Sequence, residues 1–167
     1  MLFTDVGYNC YIQTKKIKFI ISSTDSKAYT TLIKKAEESN TLLNITFKKA
    51  TLSIVVLEDD TVLRSPITAE TIVKRLVENG HYLLQVESGY FVSVIHIKAI
   101  TEKESAMVAA LRKISVKAGS ELQFVRQRGK SNSVLLMTTG ELISLSKYTK
   151  DLVNDIDKLF ITSPNND

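Results

Sequence analysis

A single cysteine in 167 residues excludes an internal disulfide framework. No apolar run reaches the roughly 18 residues of a membrane span. The start, Met1-Leu2-Phe3-Thr4-Asp5, has neither the basic nor the apolar region of a secretory leader. With one thiol and no leader, the expectation is a cytoplasmic protein with no membrane partner. Histidine is almost as scarce. His81 and His96 stand without Cys or His partners at metal-ligand spacing. There is no glycine-rich phosphate loop of either common kind. The Glu58-Asp59-Asp60 run lacks the regular oxygen-ligand spacing of a calcium loop and reads as a solvated turn. Cys10 sits in a strand-like run beside tyrosines with no identifiable base, so it reads as a packed small residue. No catalytic constellation emerges. The expected class is a non-enzymatic protein with no metal and no cofactor.

What is present is a core and a mild positive charge. The hydrophobic fraction is 44%, enough for a packed interior. The net charge is +4 and the isoelectric point near 9.1, a field that suits an anionic partner. The apolar pattern also repeats. Ile54–Leu76 and Val134–Ile156 align without a gap at a shift of 80 positions. Ile54, Val55, Val56 and Leu57 fall on Val134, Leu135, Leu136 and Met137, and Ile72, Val73 and Leu76 fall on Leu152, Val153 and Ile156. Each stretch reads strand, polar turn, strand, cap, helix. The shift extends upstream, with Ile17-Lys18 on Ile97-Lys98 and Leu42 on Leu122. Identity is almost nil, so the self-similarity lies in the pattern.

In chain order, Tyr8–Thr14 and Lys16–Ile21 read as a strand pair. A helix follows, capped by Thr24 or Asp25, with Ala28, Leu32, Ile33 and Ala36 as its apolar stripe and Asn40 as its left-handed stop. Leu42–Phe47 alternates as a strand. Pro66 bars continuation of the strand at Leu63–Ser65. Thr68 caps a helix with inner face Ile72, Val73, Leu76 and Val77, stopped by Asn79-Gly80. Tyr82–Ile100 is the richest strand region, with Gly89 at a turn. Thr101-x-x-Glu104 has the form of a capping box before Met107, Ala110, Leu111 and Ile114, and Gly119 ends that helix. A last helix carries Leu152, Val153, Ile156, Leu159 and Phe160 before a frayed tail. The expected fold is α+β, with halves 1–80 and 81–160, each a small mostly antiparallel sheet with two helices, and a flexible tail at 161–167.

The positive residues carry the functional reading. Arg126, Arg128 and Lys130 crowd one expected hairpin between the strands Leu122–Arg126 and Val134–Met137, and Lys15, Lys16, Lys48 and Lys49 crowd two others. Cations on a protruding turn reach phosphates, and arginine also reads guanine edges. The bland alternative is a turn kept soluble by its charge.

Two resemblances meet at these residues. The stretches Asp5-Val6-Gly7-Tyr8, Lys16-Ile17, Ser22–Ala28, Thr46–Thr51 and Ser65–Leu76 resemble the RemA-like family of bacterial biofilm-matrix regulators. That resemblance implies DNA binding and ring assembly. It puts basic contact positions on Lys16 and Lys49, while Ala50 replaces an arginine of the family's basic pair. Lysine keeps the charge but not the forked geometry, which preserves phosphate contact better than base readout. Residues from about Leu52 to Phe160 resemble a LytTR-type DNA-binding domain. Its central motif lies on Glu87–Ser93, where Tyr90 and Val92 keep the core part and Glu87, Ser88 and Ser93 replace the DNA-facing part. Its final Ser-Arg pair looks like Ser146-Lys147.

The reading is a tandem, homo-oligomeric transcriptional regulator that binds double-stranded DNA. Lys16, Lys48, Lys49, Arg126, Arg128, Lys130 and Lys147 are the contact candidates, with Arg126 and Arg128 suited to base edges. The rival is an oligomeric scaffold that kept the fold and lost specific readout, which the residues at Ala50, Glu87 and Ser93 favour.

Overall fold

The computed structural model describes residues 2–23, 26–103, 106–114, 121–123 and 130–161. The chain begins with β1 (Phe3–Asp5) and β2 (Tyr11–Gln13), an antiparallel pair. A 3-10 turn over Thr14–Lys16 leads into β3 (Ile17–Ser22), then α1 (Lys27–Glu38), β4 (Leu42–Asn44), β5 (Ser53–Leu57), β6 (Val62–Ser65) and α2 (Ala69–Glu78). Next come β7 (Leu83–Glu87), β8 (Tyr90–Ser93), a 3-10 turn over Val94–His96, β9 (Ile97–Glu102) and α3 (Ala106–Ile114). The chain closes with β10 (Leu122–Gln123), β11 (Ser133–Met137), β12 (Leu142–Leu145) and α4 (Thr149–Ile161). The α+β class holds, and no described helix is long and apolar enough to cross a membrane.

The strands form sheets in the orders β4-β6-β5-β3-β8-β7 and β10-β12-β11-β9, beside the separate β1-β2 pair. One expectation changes here: the basic stretches do not cap hairpins. β4 runs parallel to β6, and β6 lies between β4 and β5; β12 lies likewise between β10 and β11. The connections at 45–52 and after β10 therefore cross over a strand. The six-stranded sheet takes strands from both sides of residue 80, since β8 pairs with β3 through Phe19↔Val92, Ile20↔Phe91 and Ile21↔Tyr90.

The main apolar cluster fills the space between the two large sheets. It joins Phe19, Ile21, Ala28, Ile33 and Val56 to Val92, Leu135, Met137 and Leu152. A second cluster lies on the other face of the six-stranded sheet, where Ile72 and Leu76 of α2 meet Ile17, Ile20, Val55 and Leu63. Val77, expected inward, is exposed. It lies one residue, or about 100°, round the helix from Leu76.

Local chemistry explains most element ends. Ser26 caps α1, accepting from Tyr29 N at 3.2 Å; the expected caps Thr24 and Asp25 lie outside the described residues. Thr68 caps α2 as expected, and Asn40 and Gly80 take left-handed backbone beyond the two helices. Thr101 is not a cap. It sits in β9, which continues pairing with β11 as far as Glu102↔Ser133, while Glu104 and Gly119 lie outside the described residues.

The histidines are structural. His81 is buried, with Nε2 2.8 Å from Ser93 Oγ. His96 is buried too, and its Nε2 donates to Lys15 O at 3.0 Å, joining the two 3-10 turns. Burial, and then the charge of His96, pushes the His81 pKa below its ordinary 6.5. The folded protein therefore prefers the neutral ring, and the unfolded chain takes up more protons as pH falls. Stability should decline from about pH 6.5 downward. Melting curves between pH 8 and 5 test this: His81→Gln should flatten the decline, and an unchanged slope would assign it to other groups.

Candidate nucleic-acid interface

Sequence places Lys48 and Lys49 at the end of an alternating run, but the backbone does not stay extended there. Asn44 ends β4, and its Oδ1 accepts from Thr46 N at 3.0 Å and from Thr46 Oγ1 at 2.7 Å. Such a side-chain turn competes with strand continuation. Lys49 N then donates to Thr46 O at 3.0 Å, closing a tight reversal. Thr46 is buried as its pivot, while Phe47, Lys48 and Lys49 stand exposed.

A second turn supports the first. Between β1 and β2, Gly7 N donates to Asp5 Oδ1 at 2.9 Å, and Val6 N and Cys10 O bond at 2.9 Å. Ser65 Oγ holds Val6 O at 2.6 Å, and Arg75 Nη1 donates to Asp5 O at 2.8 Å and to Asp5 Oδ2 at 3.1 Å. Gly7 has φ +129°, and a Cβ there would lie 2.9 Å from Pro66 Cδ, so no side chain fits.

These turns bring Tyr8 and Phe47 together edge to face, with ring centroids 5.0 Å apart. Lys49 Nζ lies 5.1 Å from the Tyr8 ring centroid. Hydrogen bonding to the Tyr8 phenol, and then its charge attraction, raises the Lys49 pKa above the ordinary lysine value and keeps the ammonium charged. Phe47 is 71% exposed and Tyr8 44%, so the pair presents aromatic surface to water.

The backbone here is strained. Tyr8, Asn9, Phe47 and Lys48 all have positive φ, at 50°, 58°, 48° and 73°. Each left-handed residue other than glycine costs on the order of 1–2 kcal/mol. Such strain persists where the surroundings over-determine it, and it concentrates at functional sites.

The other candidates lie on other elements. Lys16 lies at the far end of β5 from this turn, where Ile17 pairs with Leu57, and it is ion-paired with Glu58. Lys130 is exposed ahead of β11. Lys147 follows β12 at the same end of that strand pair, since Ser133 pairs with Leu145. It donates to Gln85 O at 3.0 Å and to Asp155 at 3.1 Å. Arg126 and Arg128 lie outside the described residues. The structure thus joins Lys48 and Lys49 to Tyr8 and Phe47, while Lys16 and Lys147 are ion-paired elsewhere and Lys130 stands exposed. Sequence reading missed the two rings as surface groups, because Tyr8 and Phe47 both fall in runs with strand-like composition.

The family model that matches the chain is RemA-like, described as extracellular matrix regulatory protein A-like, and it covers residues 3–76. Relatives from Bacillus cytotoxicus, Bacillus mycoides and Bacillus anthracis, each named a putative regulatory protein, are 34% identical over 76 residues. That span is 46% of this chain and 86% of each relative. Lys16, Lys48, Lys49 and both aromatic rings fall inside the matched segment; Arg126, Arg128, Lys130 and Lys147 fall beyond it.

Proposed function

Because the chain belongs to the RemA-like family through residues 3–76, a regulatory family by its description, we propose that it is a cytoplasmic, non-enzymatic transcriptional regulator that binds double-stranded DNA. The observation that carries this reading is the Lys48–Lys49 turn. Two exposed cations and two exposed rings are held there in strained backbone by buried supports. Ammonium groups at such a turn neutralise phosphates, and the rings offer apolar surface to sugars and base edges. Lys130 is the exposed cation ahead of β11. Arg126 and Arg128, in the same connection, suit base edges. Lys16 and Lys147 would have to loosen existing ion pairs to reach DNA, so they rank below the others.

The proposal includes two finer points. Residues 81–160 are a diverged second copy of the family unit, related to LytTR-type domains. The support is that strand starts at Ile17 and Ile97, Ser53 and Ser133, and Val62 and Leu142 stand 80 positions apart. The chain also assembles with itself. A scaffold that has lost specific readout is the second reading, favoured by Ala50 and by the ion pairs of Lys16 and Lys147.

The deciding experiment is a mobility shift on genomic fragments beside an arbitrary duplex at equal salt. Retardation of both, stronger on some fragments, is the expected result. No retardation of either at low salt would move the weight to the scaffold.

A further inference from the structure

Where the C-terminal turn of α1 meets β5, β6, β10 and the turn between β11 and β12, the packing leaves a cavity of about 160 Å³. Its inner wall is apolar: Val56, Val62 and Leu122 line it and are themselves deeply buried. Among the described residues the lining carries three carboxylates, Glu38, Asp60 and Glu141, against one ammonium, Lys35. Glu141 is buried and stands inside, whereas Lys35, Glu38 and Asp60 are exposed and stand at the mouth. Hydrogen bonds fix that mouth. Thr41 N donates to Ala36 O at 2.8 Å, and Thr41 Oγ1 donates to Asp60 O at 3.3 Å, which ties the β5–β6 turn to the end of α1. Leu122 and Glu141 lie beyond the family-matched residues 3–76, so the cavity needs both parts of the chain.

Charge decides what kind of molecule fits. Lys18, behind the lining, bonds both Asp60 and Glu141 and offsets one carboxylate. Lys35 offsets a second. Lys34 lies 3.9 Å from Glu38, but its side chain is 77% exposed, and such a surface pair is screened by solvent. The last turn of α1 adds the partial negative charge of a helix C-terminus. The balance is negative, so an anion would meet like charge and a cation is favoured. Volume then sets the size, since a cavity of about 150 Å³ holds a benzene ring.

We infer that this cavity binds a small organic amine as its ammonium ion, with a ring or short alkyl body against Leu32, Val56, Val62 and Leu122 and its N–H groups donating to Asp60 and Glu141. An ionised carboxylate accepts at about four lone-pair sites, so both acids can take the ligand and keep their bonds to Lys18. The site goes beyond the proposed DNA binding and does not depend on it.

Benzylamine is the probe, because its ring matches the volume and its amine is protonated at neutral pH. Benzyl alcohol has the same shape without the charge, and benzoate reverses the charge. In amide NMR titrations up to about 20 mM, benzylamine should shift the resonances of Ala36, Thr41, Val56 and Leu122. Benzyl alcohol should bind at least about tenfold more weakly, and benzoate not at all. At ten times its dissociation constant benzylamine should raise the melting temperature by about 3–6 °C. Asp60→Asn keeps the side-chain shape and suits the left-handed backbone there, φ 67°. It should weaken benzylamine at least about tenfold and leave benzyl alcohol unchanged. Glu38→Lys lies on the surface, keeps the fold intact, and should weaken benzylamine by roughly two- to fivefold. No shift at these four residues, benzyl alcohol bound as tightly as benzylamine, or parent affinity in every folded variant would overturn the site.

Discussion

Lys18→Met is expected to destabilise the fold by about 3–5 kcal/mol, the cost of breaking a buried ion pair by removing one partner. Lys18 is completely buried in β3. Its ammonium bonds Asp60 at 2.9 Å and also Glu141 in the turn between β11 and β12. The Asp60 side chain is 53% exposed and regains water when the lysine is lost; the Glu141 side chain is 7% exposed and does not. Methionine keeps the volume, so the loss is electrostatic and not a cavity. For a chain of this size the melting temperature should drop by roughly 6–20 °C. Adding Glu141→Met should recover most of the loss, because replacing both partners of a buried pair is often neutral. Additive losses in the double variant, read by thermal denaturation, would show that the two groups do not act as a pair.

The same pair sets an acid limit. Burial works to raise the Glu141 pKa, but the Lys18 charge, hydrogen bonds from Lys18 and Thr139 and its own backbone amide outweigh it and hold the carboxyl below its ordinary 4.5. A depressed folded value means the carboxylate contributes stability above about pH 4.5, lost as pH falls through the folded pKa. Without Lys18, burial dominates and favours the protonated acid. The gap between the parent protein and Lys18→Met should therefore narrow in acid. A gap that stays constant down to pH 4 would place the loss elsewhere.

Apolar spacing located the strands at Ile54–Leu57 and Val134–Met137, and residues suited to left-handed backbone marked the helix stops at Asn40 and Gly80. Those features depend on residues close in sequence. Neighbours across tight turns were legible, as in β5–β6, β7–β8 and β11–β12, but the remaining neighbours were not. A period of two fixes which face a residue takes but not which strand lies beside it. Reading consecutive strands as neighbours, right roughly two times in three, made hairpins of crossovers over β6 and β12. The burial of Lys18 was hidden for a similar reason. Its partner Glu141 is 123 positions away, and Lys18 looked like any solvated lysine until β3 proved to be central. At the candidate interface the lysines were legible as charge. The rings were not, because the turn that exposes Phe47 depends on the Asn44 side chain and on support from the turn at Asp5–Cys10.

The variant Lys48→Ala/Lys49→Ala/Lys130→Ala should lower the slope of log affinity against log salt by about 2.7, the product of three contacts and about 0.9 released counterions each. All three side chains are exposed. Folding should hardly change, since surface substitutions usually stay within about 0.5 kcal/mol. The slope difference means that the parent's affinity advantage should shrink about 40-fold between 50 and 200 mM salt. Phe47→Ala is the matched control. The ring carries no charge, so its loss should weaken binding at every salt concentration and leave the slope unchanged. Lys49→Arg restores charge and adds a forked donor, so it should keep the parent slope. Fluorescence anisotropy on one duplex, repeated across a salt series for each variant, separates these effects. A folded triple variant with the parent's slope would remove these lysines from the contact surface and leave Lys16, Lys147, Arg126 and Arg128 as the remaining candidates.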